Sequence, residues 1–305
     1  MTNHYYYYAL AQRSVTWRKR QVTPHHELMH FLRMVSKSTE VGKEVLMLVL
    51  EESRPIEFLE SGLLVKTLSA EQDLSASYQL RHRVFADRLQ WVAKSADGLE
   101  VDAYDAFATS VGLFDDDRKL RGVFRMVSPP YPFMIESEFR PCLLPNCEIR
   151  KERDTVEITR LALDPTLTDK GLSIRLMQVL FKGVYQWSMQ NEVRYLYMVV
   201  EKRFLRVLRG MGFSCEAISP AVSLPPAGAL SIAAVLDWKQ FHETCPQKQP
   251  SFFQWMNTID GSTLFEKSGF LARDPVEQFG TSGIPQTSQQ DQHALGEGRR
   301  ELAAA

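Results

Sequence analysis

Arg81 to Asp105 reads RHRVFADRLQWVAKSADGLEVDAYD, and the rest of the chain is best understood outward from it. Leu74, Tyr78, Arg81 and Phe85 recur at i, i+4, i+7 and i+11, the spacing of one helix face, so an arginine falls on the stripe that should meet a core. A buried, unpaired guanidinium is costly, so Arg81 needs an anionic partner or a cavity. Trp91 follows, then the carboxylates Asp102 and Asp105 in a short polar segment. A cation, two aromatics and two acids this close suit a pocket for a charged, partly aromatic ligand. They also suit a core helix with a snorkelling arginine and a solvated acidic turn.

Around this stretch, helical and strand patterns alternate. Leu63 to Leu68 reads as a strand, and Ser69 with Gln72 forms a capping box that starts the Arg81 helix. Ala108 to Phe114 and Leu120 to Val127 read as two strands joined at Asp115, Asp116 and Asp117. That triplet before RKLRG is a hairpin turn rather than a metal site. A proline-rich loop, SPPYP, leads on to Phe139. Thr155 to Leu163 is a strand holding Glu157 and Arg160. Leu172, Leu176, Val179, Leu180, Val184 and Trp187 mark a long amphipathic helix, Tyr195 to Val200 a buried strand, Lys202 to Arg209 a short helix and Ala229 to Leu236 a late strand. Alternation with a hairpin in the middle predicts an α/β fold, a three-layer α-β-α sandwich with a mixed, mostly antiparallel sheet.

The flanks are less informative. Residues 1–60 read as a partly helical N-terminal extension, 61–240 as the folded domain, 241–272 show no clear period, and 273–305 are Gln, Gly, Ser and Pro rich, the composition of a disordered tail. His26-Glu27-Leu28-Met29-His30 spells HExxH, which on a helix could hold zinc. No glycine-plus-histidine extension follows, and the segment is too short to build a protease around a metal, so no metal is expected.

The 305 residues can bury a full core. A net charge of -1 excludes a global field for nucleic acid or membrane surfaces. Cys142, Cys147, Cys215 and Cys245 form no CxxC pair, which fits reduced thiols. No run approaches the ~18 apolar residues of a membrane span, and MTNHYYYYALAQRS lacks a signal-peptide layout. A soluble, cytoplasmic protein is the expectation.

Taken together, Arg81, Phe85, Trp91, Glu100, Asp102, Asp105, Arg125, Phe139, Glu157 and Arg160 stand in an order that resembles the signature of the acyl-homoserine-lactone synthases, the LuxI-type autoinducer synthase family. The pattern is R-x3-F-x5-W, E-x-D-x-[YF]-D, an isolated Arg, a Phe and E-x2-R, within residues 62 to 237 or so. The resemblance implies a fold related to the N-acetyltransferase (GNAT) fold. It implies that S-adenosylmethionine is acylated on its amine from acyl carrier protein, then lactonises with loss of methylthioadenosine. S-adenosylmethionine and the acyl-phosphopantetheine are then substrates, no resident cofactor is needed, and the product acts on a separate transcriptional regulator.

Under that resemblance, Phe85 and Trp91 pack on the apolar and cationic parts of S-adenosylmethionine. Arg81 either pairs the ligand carboxylate or ties down the acidic loop. Asp102 and Asp105 either fix that loop or accept bonds from the ligand. Glu157, directly or through a water, is the expected general base, a role worth roughly 10²–10⁴-fold. Arg125 and Arg160 fix Glu157, hold the acidic loop or bind the phosphopantetheine arm. Phe139 lines the acyl or pantetheine channel. Met198, where makers of 3-oxo products tend to carry threonine, favours an unsubstituted or 3-hydroxy chain.

Glu157 and Arg160 are three apart, so on a regular strand they face opposite sides; a bulge re-aims one, or Arg160 serves the other face. Acyl carrier protein is acidic, and Lys202, Arg203, Arg206 and Arg209 offer it a basic helix face, with Arg150, Lys151 and Arg153 as a second cluster.

The alternative is a GNAT-like acyltransferase of the protein-sorting-associated type, acting on another amine. An acetyl-CoA-dependent acetyltransferase fits less well, because the glycine loop before the long helix is reduced to TDKGLS.

Overall fold

The computed structural model describes residues 53–259 except Ala227. The described strands are β1 Glu57–Glu60, β2 Leu63–Thr67, β3 Thr109–Phe114, β4 Leu120–Val127, β5 Thr155–Leu163, β6 Tyr195–Glu201, β7 Cys215–Ala217, β8 Val222–Leu224 and β9 Ala229–Asp237. They form one sheet in the order β1-β2-β3-β4-β5-β6-β9-β7, with β8 also paired to β9. Of the described pairs only β5–β6 is parallel, which makes the sheet mixed and mostly antiparallel, as expected. The described helices are α1 Glu71–Arg81, α2 Lys170–Gln190, α3 Lys202–Gly210, α4 Trp238–Lys248 and α5 Pro250–Asn257.

Strand alternation assigns the layers. Leu64 and Val123 pack with Leu80, Val84 and Phe85, so α1 covers their face of the sheet. Val65 and Phe124 point the other way, against α2. There Gly183 permits close approach, since a Cβ would stand 2.9 Å from Val65 Cγ1 and 3.3 Å from Phe124 Cε1. The sheet therefore lies between helical layers.

Helix α1 departs from expectation at both ends. Ala70, not Ser69, is its N-cap, and no side chain caps it, so the predicted capping box does not form. Glu71 and Asp73 instead place negative charge in the first turn, which favours the positive end of the helix dipole. After Arg81 the helix widens into π-helical turns over His82–Arg88 before ending near Gln90, whose φ is 55°.

Two regions beyond the expected domain limits are also part of this structure. β1 lies before residue 61 and is the first strand of the sheet. α4 and α5 occupy much of the segment whose sequence shows no period, because their order comes from aromatic packing rather than from an apolar stripe. Phe213 stacks on Phe241 at 5.5 Å, and Trp238 meets Tyr185 edge-on at 5.2 Å. Lys182 of α2, 1% exposed, joins these pieces. Its Nζ lies 2.5 Å from Glu60 Oε2 of β1 and 4.7 Å from the centre of the Trp255 ring of α5, while Trp255 Nε1 donates to Glu60 Oε1 at 3.0 Å. The HExxH segment lies outside the described residues. No helix among the described residues is long and apolar enough to cross a membrane.

Candidate functional site

Three arginines and three carboxylates interlock on the α1 face of the sheet. Arg81, fully out of solvent, reaches in from the end of α1. Its Nη1 and Nη2 donate to Asp105 Oδ1 and Oδ2 at 2.6 and 3.0 Å, and its Nε donates to Glu100 Oε2 at 2.5 Å. Arg125 of β4 donates to both oxygens of Asp102, at 2.6 and 2.9 Å, and to Asp105 Oδ1 at 2.8 Å. Arg160 of β5 bridges Glu100 and Asp102, each at 2.8 Å from Nη2. Paired forks of this kind are the strong form of charge-assisted hydrogen bond.

The same acids shape their own backbone. Asp102 caps the 3-10 turn Ala103–Ala106 by accepting from Tyr104 N at 2.9 Å, and Asp105 Oδ2 accepts from Asp102 N at 2.8 Å. Burial pushes the Glu100 and Asp105 carboxyls up, but the arginine hydrogen bonds and charges outweigh it and hold both below the usual carboxylate range. In this structure the side-chain hydrogen bonds of Arg81, Asp102 and Asp105 run within the acidic loop and between it and its arginines. Arg125 and Arg160 also bind this loop and do not touch Glu157 in a hydrogen bond.

A bulge solves the facing problem of β5. Arg125 pairs with Thr159 and Val123 with Ala162, so three steps on β5 oppose two on β4. The extra residue puts Arg160 in the left-handed region, φ 54°, and its guanidinium joins the same face as Glu157 and Thr159. Thr159 Oγ1 accepts from Arg125 Nε at 3.0 Å.

Glu157, 1% exposed, is held by backbone alone: Oε2 accepts from Met134 N at 2.5 Å and Oε1 from Ile135 N at 2.8 Å. Burial pushes its carboxyl up to about 8, with those two bonds and Arg125 pulling the other way. It stands where β5 and β6 part. Their register pairs run from Thr155–Tyr195 to Glu157–Tyr197 and no further, while each strand continues with its other neighbour. The sheet opens into a fork beside this carboxyl.

An apolar cluster surrounds the fork. Tyr104, Val127, Phe133, Met134, Ile135, Cys142 and Ala233 form it, with Phe139, Tyr197 and Val199 packed against them. Met198 is 6% exposed, and as the neighbour of Tyr197 and Val199 on a strand it points to the opposite, α2-side face. Tyr197, which pairs with Glu157, and Val199 lie on the fork side.

Phe85 lies under Arg160, 5.4 Å from ring centre to Cζ, and Trp91, 37% exposed as a residue, lies 6.1 Å from Phe85 between ring centres. On the outer surface Lys202, Arg203, Arg206 and Arg209 are all exposed. Arg203 pairs with Glu201, and Arg209 Nε donates to Cys215 O at 2.8 Å. In the second basic cluster Arg150 pairs with Asp154 and Glu152, and Lys151 with Glu136. No group of three potential metal ligands occurs among the described residues.

A sequence model for one family, described as autoinducer synthase, matches residues 66–240. An acyl-homoserine-lactone synthase of Aeromonas salmonicida is 33% identical over 165 residues, 52% of this chain and 79% of that one. A second of the same name, from Rhizobium radiobacter, is 28% identical over 195 residues, 60% and 91% of the two chains. Among solved structures, the AHL synthase LasI superposes with a TM-score of 0.52 at 19% identity, over 58% of this chain and 91% of its own. A CoA-dependent acyl-homoserine lactone synthase, BjaI, solved with SAM and isopentyl-CoA, gives 0.51 at 18%, over 67% and 90%.

Proposed function

The chain belongs to the autoinducer synthase family, and from that premise we propose that it acylates the amine of S-adenosylmethionine with a chain from acyl carrier protein and then closes the lactone. The observation that carries this is Glu157, a buried carboxyl with a raised pKa, set at the strand fork between an ion-pair lattice and an apolar cluster. A base poised near neutral pH suits the removal of a proton from an ammonium group. Each Glu157 oxygen accepts one backbone N–H and keeps a second lone pair for the amine or an intervening water.

Glu157 takes the proton, and the freed nitrogen attacks the thioester carbonyl. The carbon–sulfur bond breaks, and the pantetheine sulfur leaves as a thiol after taking a proton. The methionyl carboxylate then attacks the carbon beside the sulfonium. That carbon–sulfur bond breaks in turn, releasing methylthioadenosine and an N-acyl-homoserine lactone, a quorum-sensing signal for a separate regulator. Phe85 and Trp91 supply aromatic faces for the sulfonium ligand. The arginine–carboxylate lattice serves as the rigid wall of this pocket rather than as its direct contacts. Phe139, Tyr197 and Val199 line the acyl or pantetheine channel.

BjaI is named for coenzyme A; what supports a carrier protein here is surface charge. The basic face of α3, chiefly Lys202 and Arg206, suits docking of an acidic carrier.

Mass spectrometry of organic extracts from cells expressing the chain tests the proposal. An N-acyl-homoserine lactone made by wild type and not by Glu157→Ala supports it. A blank from soluble protein given both acyl carrier proteins and acyl-CoA overturns it, and turnover with acyl-CoA alone overturns the choice of donor.

A further inference from the structure

His82 sits one residue past Arg81, in the first π-helical turn, and is buried. Its Nε2 accepts a hydrogen bond from the backbone N–H of Ser95 at 3.2 Å. An accepting Nε2 places the ring proton on Nδ1, which lies 3.4 Å from Asp87 Oδ2. The segment from Trp91 to Leu99 is otherwise stitched mainly to itself: Ser95 Oγ donates to Leu99 O at 2.6 Å, and Leu99 N to Asp97 Oδ1 at 3.1 Å. At its start, Trp91 N donates to Phe85 O at 2.8 Å. Among the described residues, the ties from its middle to the helix are Ser95 to His82 and the exposed pair Lys94–Asp87, 2.8 Å apart.

We propose that His82 is a positioning residue: its neutral imidazole latches the middle of the 91–99 segment, beside the S-adenosylmethionine side of the site, and its protonation releases that stretch. The chemistry is direct. A protonated ring has a hydrogen on Nε2 and has no lone pair to offer Ser95 N. The charged groups around the ring are Asp87 from its own helix, which also pairs with Lys94, and Asp97 from the segment. Asp87 draws a protonated ring toward the helix while Ser95 loses its acceptor, so the two contacts select opposite charge states. The substrate side of this inference rests on the function proposed above; the latch itself does not.

Hydrogen–deuterium exchange of the full chain, read on peptides spanning residues 90–99 and corrected for intrinsic rates, tests it at about pH 8 and about pH 5.5, the span over which imidazoles change charge. Wild type loses protection by about 2- to 10-fold at the lower pH, the worth of one hydrogen bond. His82→Gln, whose amide oxygen still accepts, shows the same protection at both. His82→Ala is unprotected at both. In parallel, KM for S-adenosylmethionine rises at low pH in wild type by a similar factor and stays flat in His82→Gln. Wild-type protection that ignores pH, or a pH response shared by His82→Gln, overturns the latch. A pH-dependent latch in a protein that does not turn over S-adenosylmethionine keeps it and removes the substrate reading instead.

Discussion

Arg81 and Asp105 meet fork to fork, 2.6 and 3.0 Å apart, with the guanidinium wholly removed from water. Removing one partner of such a buried pair leaves the other's charge uncompensated. Arg81→Ala is expected to cost about 3–5 kcal/mol in urea unfolding, as does breaking comparable pairs. Arg81→Lys recovers little of this, because an ammonium cannot serve Asp105 at two points and Glu100 at a third. A lysine variant as stable as wild type would show that the fork geometry is unimportant.

The lattice and Glu157 respond to pH with opposite signs. Glu100 and Asp105 have depressed pKa values in the fold, so their contribution is present above the unfolded carboxylate range and is lost as pH falls through the folded values. Glu157 is raised to about 8, so stability tied to its protonated form is complete at low pH and declines as pH rises through 8. Glu157→Gln does not ionise, so this decline between about pH 5 and pH 9 is expected to disappear from its thermal melts, although its amide keeps only one of the two acceptors for Met134 N and Ile135 N. It is also expected to lose the rise in turnover through about pH 8, with kcat down roughly 10²–10⁴-fold.

Arg160 carries two burdens that substitution can separate. Its side chain bridges Glu100 and Asp102, and its backbone is left-handed at φ 54°. Both Arg160→Ala and Arg160→Gly lose the bridges, but only glycine is free of the Cβ penalty there. The glycine variant should exceed the alanine variant by about 1 kcal/mol in urea unfolding. Equal stabilities would place the strain elsewhere.

Facing residues on β6 should divide stability from specificity. Met198→Ala opens a cavity on the α2 side, expected to cost about 2–5 kcal/mol, and leaves the distribution of acyl chains in the product unchanged. Val199→Phe fills space on the fork side and shortens the accepted chain. Lactone profiles by mass spectrometry check both, and a shift in profile from Met198→Ala alone would reverse the assignment of faces.

Much of this architecture was legible before any coordinates. Periodicity located β2 through β6, β9 and the three helices α1 to α3 because each buries one face. An arginine on an apolar stripe pointed to buried anions, and Glu100 and Asp105 are those anions. A bulge near Arg160 was one of two alternatives the spacing offered, and the choice between them depends on pairing register with β4, which one strand's sequence does not carry. Two other features escaped for separate physical reasons. The Glu157 carboxyl is held by the main-chain amides of Met134 and Ile135, and every residue but proline has one, so no side chain advertises the contact. Helices α4 and α5 cohere through rings meeting at many angles, so no single spacing betrays them.

Lys182 gives the ends of the described chain a common fate. The strand that opens the sheet and the helix that closes the described chain lie outside the stretch matched by the family, yet both fasten to one ammonium inside it. The result is a loop closed through space: clipping β1 strands the lysine without its acid, and clipping α5 strips away the ring that covers it. A fragment trimmed to the family's limits would expose a bare charge at the heart of its longest helix, so the unit that folds is larger than the unit that kinship defines.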